Sequence, residues 1–424
     1  MLGAKTSLHR LTGRPAAGAL TGTLAEAIAD ELGTLRGLAL KVGQMASYVD
    51  GVVPDGQREI YEQALSKLRS RAAAMRPEAA ARVIEAELGA RPLDLFATFE
   101  ERPFASASIG QVHRATLADG RQVAVKVQHA GIEQAVHADL ANGKLLGRLL
   151  GPLGDKFGLD DQLAELRARF TEELDYRHEA TAQSRFRSLF AGEPLLRIPE
   201  VIASHSARRV LTTTLAEGQP FEIAVTATAA ERRAWAASLF RFVFGSVLWE
   251  GLLNADPHPG NYVMGEGGLV HVLDFGCTRQ LSPERLAIVR QVHHACARGD
   301  EPAFLRWALQ LVDMVPGSEQ GRQAEAYVRT CFHPVLARGP FRFTRAFAAS
   351  LVGQLRAQAA HVAKSKASEV RALPAELLFF NRLQVGFYSV LARLDVAVDY
   401  HAVHAELVEK IAWHTAKATA GPAL

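Results

Sequence analysis

Apolar side chains near the start of the chain recur every three or four residues, which is the spacing of one face of an α-helix. Between residues 24 and 49 they are Leu24, Ile28, Leu32, Leu35, Leu38, Val42, Met45 and Val49. A second helical stretch has Pro77 at its start and Gly89 at its end, as the capping preferences of these residues predict. The pattern therefore predicts a helical segment over residues 1–91.

Beyond Pro92 the pattern changes to short runs that are typical of strands. Gln111–Leu117 and Arg121–Gln128 flank a turn that contains Asp119-Gly120, and we interpret them as a β-hairpin. Two later apolar runs, Ile198–Ala203 and Arg209–Thr214, also predict strands. Together these runs indicate a small antiparallel sheet.

Helical spacing covers residues 131–150 and 160–190, between the hairpin and the later strands. Residues 215–220 contain Gly and Pro and form the predicted domain boundary. The chain beyond them is mostly helical, except for the glycine-rich loops and short strand of residues 254–277. We predict three parts: a helical extension (1–91), a small sheet with inserted helices (92–214) and a helical lobe (215–424).

The composition is that of a folded protein, because 48% of the 424 residues are apolar and 22% are charged. Lys and Arg number 48 and Asp and Glu 45, which gives a formal charge of +3. This charge is too balanced for a dedicated nucleic-acid-binding protein, and we expect no nucleic-acid partner. The three cysteines are too few for a disulfide framework and indicate a reducing compartment.

The most apolar stretch, Ala234–Leu253, is interrupted by Arg241 and Glu250. A membrane-spanning helix needs about 20 nearly uncharged residues, so we interpret this stretch as a buried helix. The first 15 residues have no apolar core long enough for a signal peptide. We expect a cytoplasmic protein and leave open a peripheral contact with a membrane.

The candidate chemistry is concentrated in two neighbouring loops. Asp256 and Asn261 are five residues apart, and Asp274-Phe275-Gly276 follows a short apolar run. The oxygens of Asn261 and Asp274 are ligands that Mg²⁺ prefers, and Asp256 is placed to accept a proton from an attacking hydroxyl. This spacing is typical of phosphoryl transfer in kinase folds. The alternative is that these residues only shape loops next to proline and glycine.

Lys126 lies on the second strand of the predicted hairpin and shares a face with Ala124. A strand lysine beside a small side chain can hold phosphates and leave room for a flat base. The preceding loop, Ala105–Val112, keeps a single glycine, Gly110, where a phosphate-binding loop is usually glycine-rich. Methyl groups restrict the backbone, so we expect this loop to be stiffer than that of a protein kinase.

A stretch of acidic residues, Glu172–Glu179, follows in the predicted helix 160–190. Asp175 and Glu179 are four residues apart, so we expect them to share one helix face. One acid from this stretch is predicted to pair with Lys126, as in active kinases. The alternative is a solvated acidic face.

These residues resemble the UbiB (AarF-type) family of atypical kinases, and the resemblance covers residues 25–400. Four signatures carry it: Lys41-Val42-Gly43-Gln44 for the Lys-x-Gly-Gln motif, Ala105–Val112 for the alanine-rich loop, Glu173-Leu174-Asp175 for the Glu-x-Asp motif, and Asp256–Asn261 with Asp274-Phe275-Gly276 for the catalytic and metal loops. The family implies an α+β fold, namely a bilobal protein-kinase-like fold with an N-terminal helical extension. It also implies binding of ATP and Mg²⁺.

The resemblance assigns roles to individual residues. Lys126 would bind the nucleotide phosphates, with Glu179 as its helix partner. Asp256 would be the catalytic aspartate, and Asn261 and Asp274 would be the metal ligands. The implied nucleotide-binding set is Ala105, Ser106, Ala107, Ser108, Ile109, Gly110, Val112, Ala124 and Lys126. The implied regulatory set is Lys41, Gln44, Glu173 and Asp175, because the family's Lys-x-Gly-Gln helix folds over the active site and occludes protein substrates.

Members of this family resemble ATPases, or kinases that act on small molecules or lipids, and several support isoprenoid-quinone biosynthesis. The expected partners are therefore ATP and an unidentified small-molecule or lipid acceptor. Two alternatives stay open: a soluble small-molecule phosphotransferase, and a nucleotide-binding scaffold without catalysis. The connector carries Thr214 where many relatives have an acid, which leaves contacts to the base at this position open.

Overall fold

The structure is a computed structural model that describes residues 75–107, 109–134, 172–364 and 375–420. The predicted helix at 24–49, with Lys41 and Gln44, lies outside the described residues. So do Ser108 and most of the chain between the predicted hairpin and the acidic stretch.

The first described part is a small sheet covered by a helix. Its elements are helices α1 (Pro77–Leu88) and α2 (Pro92–Leu95) and strands β1 (Thr98–Phe99), β2 (Ala105–Ala107), β3 (Gly110–Thr116) and β4 (Gln122–Gln128). Strands β3 and β4 pair antiparallel, which confirms the predicted hairpin. Val123, Val125 and Val127 of β4 are fully buried and pack with Ile84 of α1. The alternation leaves Lys126 on the opposite face of the sheet.

The next elements are α3 (Tyr176–Leu189), β5 (Leu196–Arg197) and β6 (Val210–Thr214). Strand β6 pairs with β4 and completes the sheet in the order β1–β3–β4–β6, with β2 on β3. The strand predicted over Ile198–Ala203 is wrong. Pro199 has no N–H to donate to a neighbouring strand. Within this stretch only Val201 forms a β-bridge to β6, and a 3₁₀ turn begins at Ala203.

The segment that carries the two candidate loops alternates helices and short strands. Its elements are β7 (Gln219–Pro220), α4 (Phe221–Ala224), α5 (Ala229–Glu250), β8 (Leu252–Asn254), β9 (Tyr262–Met264), β10 (Val270–Val272) and β11 (Thr278–Gln280). Helix α5 contains most of the apolar stretch, and 12 of its 22 residues are buried, which confirms a buried helix. None of the helices in the described ranges is long and apolar enough to cross a membrane.

The remaining chain is almost entirely helical. Its elements are α6 (Pro283–Arg298), α7 (Glu301–Leu311), α8 (Glu319–Leu336), β12 (Phe341–Arg342), α9 (Arg345–Lys364), α10 (Ala375–Leu394), β13 (Ala397–Val398), α11 (Tyr400–Glu409) and α12 (Ile411–Ala420). Buried side chains of these helices and of α5 form the largest apolar core, which also includes Phe275. The protein thus has a mixed α and β fold, and this apolar core supports the candidate loops.

Candidate active site

Lys126 lies at the centre of the site. Its Nζ is 2.9 Å from both carboxylate oxygens of Glu179 and 3.5 Å from Oδ2 of Asp274. The aromatic ring of Tyr176 lies against the same ammonium group, with its centroid 5.0 Å from Nζ. Strand β4, helix α3 and the loop after β10 therefore meet at one cation, and Glu179 is the acid of the predicted stretch that pairs with Lys126.

The Asp274 loop is fixed on both sides. Oδ1 of Asp274 accepts a hydrogen bond from the Gly276 N–H at 2.9 Å, and its carbonyl accepts one from Asn254 Nδ2 at 2.8 Å. Phe275 is buried with its ring 5.0 Å from that of Phe186 on α3. Because α3 also carries Glu179, this aromatic contact couples the position of the Asp274 loop to that of the helix.

The loop Asp256–Asn261 is held in shape by hydrogen bonds to its own backbone. Asn261 Nδ2 donates to the Asp256 carbonyl at 3.0 Å, so the amide group closes the loop and its Oδ1 points away from that contact. His258 Nδ1 accepts from the Gly260 N–H at 3.0 Å, as expected for a residue that shapes the loop. Asp256, Asn261 and Asp274 line one cleft together with Lys126.

Helix α10 packs directly under the Asp256–Asn261 loop. A Cβ atom placed on Gly386 would lie 2.7 Å from Cγ of Pro257, the residue that follows Asp256. Such a distance is well inside van der Waals contact, so only glycine fits at this position without a shift of the loop or the helix. The contact makes α10 part of the support for the predicted catalytic aspartate.

The alanine-rich loop forms the opposite wall of the cleft. Ala105, Ser106, Ala107, Val112 and Ala124 of the predicted nucleotide set line it, and Thr213 and Thr214 of β6 continue the wall. Two residues of the predicted nucleotide set lie elsewhere. A Cβ atom on Gly110 would lie 2.3 Å from the Val127 carbonyl, so this glycine permits close approach of β3 to β4, and Ile109 lines a second cavity.

That second cavity, of about 370 Å³, lies behind Lys126 and Glu179. Glu172, Glu173 and Asp175 line it, and Arg279 contributes a cation 3.3 Å from Glu172. The prediction that Asp175 and Glu179 share a helix face is wrong. Asp175 is instead the N-cap of α3, and its side chain accepts a hydrogen bond from the Arg177 N–H at 3.0 Å. Because Asp175 precedes the first helical residue, it does not share a helix face with Glu179.

Burial and charge act in opposite directions on the central pair. Burial alone would lower the pKa of the Lys126 ammonium, but the carboxylates of Asp274 and Glu179 raise this pKa well above its ordinary value. Burial also raises the pKa of Glu179, and Lys126 opposes that shift. Lys126 therefore stays a cation at physiological pH, and the pKa of Glu179 also lies above its usual range.

The raised pKa of Glu179 predicts how stability depends on pH. The folded chain keeps the proton at pH values where the unfolded chain, with an ordinary pKa of 4.5, has lost it. Glu179 thus contributes stability below its ordinary range that is lost as the pH rises through the raised value. Relative to Glu179→Gln, which does not titrate, we expect the free energy of unfolding to fall as the pH rises from the ordinary pKa of 4.5 through the raised pKa of the folded chain. Paired denaturant titrations would measure this difference, and a rise with pH would mean that Lys126 outweighs burial.

Three residues of the site have no role in the sequence analysis. Tyr176 lies against Lys126, Asn254 holds the Asp274 carbonyl, and Gln183 of α3 anchors the helix by donating from Nε2 to the Pro199 carbonyl at 2.7 Å. Asn254 stands two residues before Asp256, so a position close to the site could be inferred for it from the sequence. Tyr176 and Gln183 have no comparable signal, because their contacts depend on how α3 packs.

Comparisons with known proteins show what the chain is similar to. Residues 67–307 match the profile of the ABC1 atypical kinase-like domain. The mitochondrial atypical kinase COQ8B of Rattus norvegicus is 31% identical, over 76% of this chain and 61% of the rat protein. COQ8B of Danio rerio is 32% identical, over 66% of this chain and 45% of its own length. The chain thus spans about half the length of these curated relatives.

A solved structure covers more of the chain. Rv3197 of Mycobacterium tuberculosis, determined in complex with erythromycin, has a TM-score of 0.63 and 28% identity. The alignment covers 94% of this chain and 100% of that one. Because the ABC1 profile spans more than half of the sequence, the protein belongs to the ABC1 atypical kinase-like family, which confirms the UbiB-type resemblance of its motifs.

Proposed function

We propose that this atypical kinase binds ATP with Mg²⁺ and acts as an ATPase or as a kinase of a small-molecule or lipid acceptor. The observation that carries the proposal is the meeting of Lys126, Glu179 and Asp274 beside the Asp256–Asn261 loop. Kinase-fold phosphoryl transfer needs a phosphate-binding cation, a helix acid that holds it, oxygen ligands for a metal and a carboxylate near the acceptor. The cleft offers all four in one place.

The donor set fits Mg²⁺. Asp274 offers a carboxylate that is 30% exposed, and Asn261 offers the amide oxygen that its Nδ2 contact with Asp256 leaves for other partners. Hard oxygen ligands of this kind, completed by phosphate and water, are what Mg²⁺ prefers. When bound, the metal would neutralise charge on the transferred phosphoryl group. We therefore assign Asn261 and Asp274 as its protein ligands.

The remaining residues position the reacting groups. Lys126 binds phosphate oxygens, and Glu179 keeps its ammonium group in the cleft. Asp256 accepts the proton of the attacking hydroxyl or water while the new oxygen–phosphorus bond forms at the γ-phosphate and the bond to the β–γ bridging oxygen breaks, releasing ADP. The alanine-rich wall Ala105–Ala107 covers the phosphates, and Thr213 and Thr214 border the base.

The second cavity, which we call the acidic cavity because Glu172, Glu173 and Asp175 line it, supports the proposed regulatory role of the Lys-x-Gly-Gln motif. Glu173 and Asp175 line a space of about 370 Å³ that shares Lys126, Glu179 and Asp274 with the cleft. Arg185 and Arg279 also line this space, and Arg177 pairs with Asp175 at 2.6 Å. Lys41 would add a further cation to this network of charges, with Gln44 as a hydrogen-bonding neighbour. We propose that this docking excludes protein substrates and directs the enzyme to small or lipid-like acceptors, in support of isoprenoid-quinone biosynthesis or lipid homeostasis.

The test is Mg²⁺-dependent phosphate release from ATP by the full chain, beside Asp274→Asn, with and without anionic lipid vesicles. We expect release by the native chain and a loss of about 100-fold in the variant, because the carboxylate ligand is removed while the shape is kept. A matched control is Asp395→Asn, since Asp395 pairs with Arg342 away from the cleft. Tight ATP binding without turnover under either condition would instead favour the non-catalytic scaffold.

A further inference from the structure

A separate cavity of about 110 Å³ lies within the helical core, among α5, α6, α7, α8 and α10. Its walls are mainly apolar, and they include Val247, Val292, Ala308, Val328, Phe332 and Phe387. None of these side chains lines the nucleotide cleft or the acidic cavity. The lining also includes the polar side chains of His293, Tyr327, Gln358 and Gln384. Apolar cavities of roughly 150 Å³ take up benzene, so a mainly apolar space of this order suits a single small ring.

One wall carries an imidazole. His293 lines the cavity, is 4% exposed, and has its Nδ1 2.7 Å from Nε2 of His404 on α11. Burial lowers the pKa of His293 well below its ordinary value and lowers that of His404 to about 3, so both rings are neutral at physiological pH. A neutral pair of this kind shares one hydrogen bond, and its direction fixes which ring nitrogens carry protons.

The surroundings of His404 determine that direction. Its Nδ1 is buried and has no hydrogen-bond partner among the described residues. Orphaned buried N–H groups are rarer than orphaned acceptors, so the proton of His404 lies on Nε2 and is donated to His293 Nδ1. His293 then carries its own proton on Nε2. The lining residue His293 therefore carries an N–H donor that its hydrogen bond with His404 does not use.

The cavity is also connected to the cleft through one helix. Gln384 and Phe387 of α10 line the cavity, and Gly386 between them packs against Pro257 in the predicted catalytic loop. A ligand that moves α10 would therefore change the support of Asp256. Packed elements of this kind shift between discrete arrangements rather than deform continuously.

We propose that this cavity is an effector site for a compact, uncharged ring compound that carries one hydrogen-bond acceptor. The ring fills the apolar space, and His293 Nε2–H donates to the acceptor. Occupancy acts on the catalytic loop through Gly386 and Pro257. The binding part of the proposal is independent of the proposed function, whereas the effect on nucleotide rests on it.

The probes are benzonitrile and phenylacetylene, which have nearly the same shape but differ in that only the nitrile nitrogen accepts a hydrogen bond well. Ligand-observed NMR on the full chain would measure the affinity of each. We expect saturable binding of both, with benzonitrile about fivefold tighter. Failure of both probes to bind would overturn the proposed site. Equal affinities of the two probes would overturn its preference for a hydrogen-bond acceptor.

Two variants on neighbouring helices test the location. Ala308→Leu fills the cavity and is expected to abolish binding, with a thermal unfolding midpoint equal to or above that of the native chain. Ala326→Leu adds the same bulk at an exposed position of α8 and is expected to leave binding unchanged. If Ala308→Leu fails to fold, His293→Phe is the second test, and it is expected to remove the advantage of benzonitrile. Binding that persists in Ala308→Leu, or an advantage of benzonitrile that persists in His293→Phe, would contradict the site.

The effector role has its own measurement. The affinity for a fluorescent ATP analogue is determined with and without saturating benzonitrile, and we expect a change of about fivefold or more. Linkage requires the affinity for benzonitrile to change by the same factor when the nucleotide is saturating. Probe binding with no change in nucleotide affinity would contradict the effector role, whereas absence of nucleotide binding would contradict the proposed function instead.

Discussion

Replacing Lys126 by Met is expected to lower ATP turnover by about 100-fold and to destabilise the fold by about 3 kcal/mol. The side chain has a similar length, so the main loss is the cation. Glu179, which is 5% exposed, would remain as a buried carboxylate beside Asp274 without a neutralising partner. We place the expected loss of stability at the lower end of the range for breaking a buried ion pair, because Lys126 is itself 16% exposed. Phosphate release and denaturant unfolding measure the two effects.

The double variant Lys126→Met, Glu179→Leu separates these two effects. Replacing both partners of a buried ion pair by apolar side chains is often neutral, so we expect most of the lost stability to return. Turnover is expected to stay low, because no cation is restored to the phosphates. Equal stabilities of the single and double variants would show that Glu179 is not a charged partner of Lys126 in the folded chain.

Gly386→Ala is expected to lower turnover by about 10- to 100-fold with little change in nucleotide affinity. The added methyl group would lie 2.7 Å from Pro257 Cγ, and the loop that carries Asp256 must move to relieve the overlap. A misplacement of about 1 Å in a catalytic group can cost 100-fold in rate. Steady-state kinetics would show the effect in kcat rather than in KM, because the residue acts on position and not on binding.

Gly353→Ala is the matched control for this substitution. Gly353 lies within helix α9, and an added Cβ atom there would meet nothing within 4 Å. Alanine favours helix by about 1 kcal/mol over glycine, so this variant is expected to be as stable as the native chain or more so, with unchanged turnover. An equal loss of turnover in both variants would indicate a general effect of altering this helical region rather than the contact with Pro257.

The two candidate loops could be located from the sequence because short motifs carry them, and their internal contacts join residues that are close in sequence. The Asp256–Asn261 loop closes through its own amide, and Asp274 holds its own Gly276 N–H. The hairpin could be predicted because valines alternate along β4. At these places the residues that form the motif and the residues they contact are only a few positions apart in the sequence.

Longer-range packing could not be predicted in the same way. The acidic stretch has helical spacing, but the Asp175 side chain competes for backbone N–H groups and starts a new helix there. The apolar run after residue 197 looks like a strand until the missing donor of Pro199 is counted. The contact of Gly386 with Pro257 and the cavity around His293 join segments far apart in the chain, and neither has a local signature.

The path from the Asp274-Phe275-Gly276 motif to the next helix is short. Only residues 277–282 lie between Gly276 and the start of α6 at Pro283, and three of them form β11, which pairs with β8. In protein kinases this interval is the long segment whose phosphorylation switches the enzyme on. This chain closes the same interval with six residues and a paired strand. The Asp274 loop is therefore tied to the neighbouring strand β8 through β11, and its position does not depend on ordering a long segment.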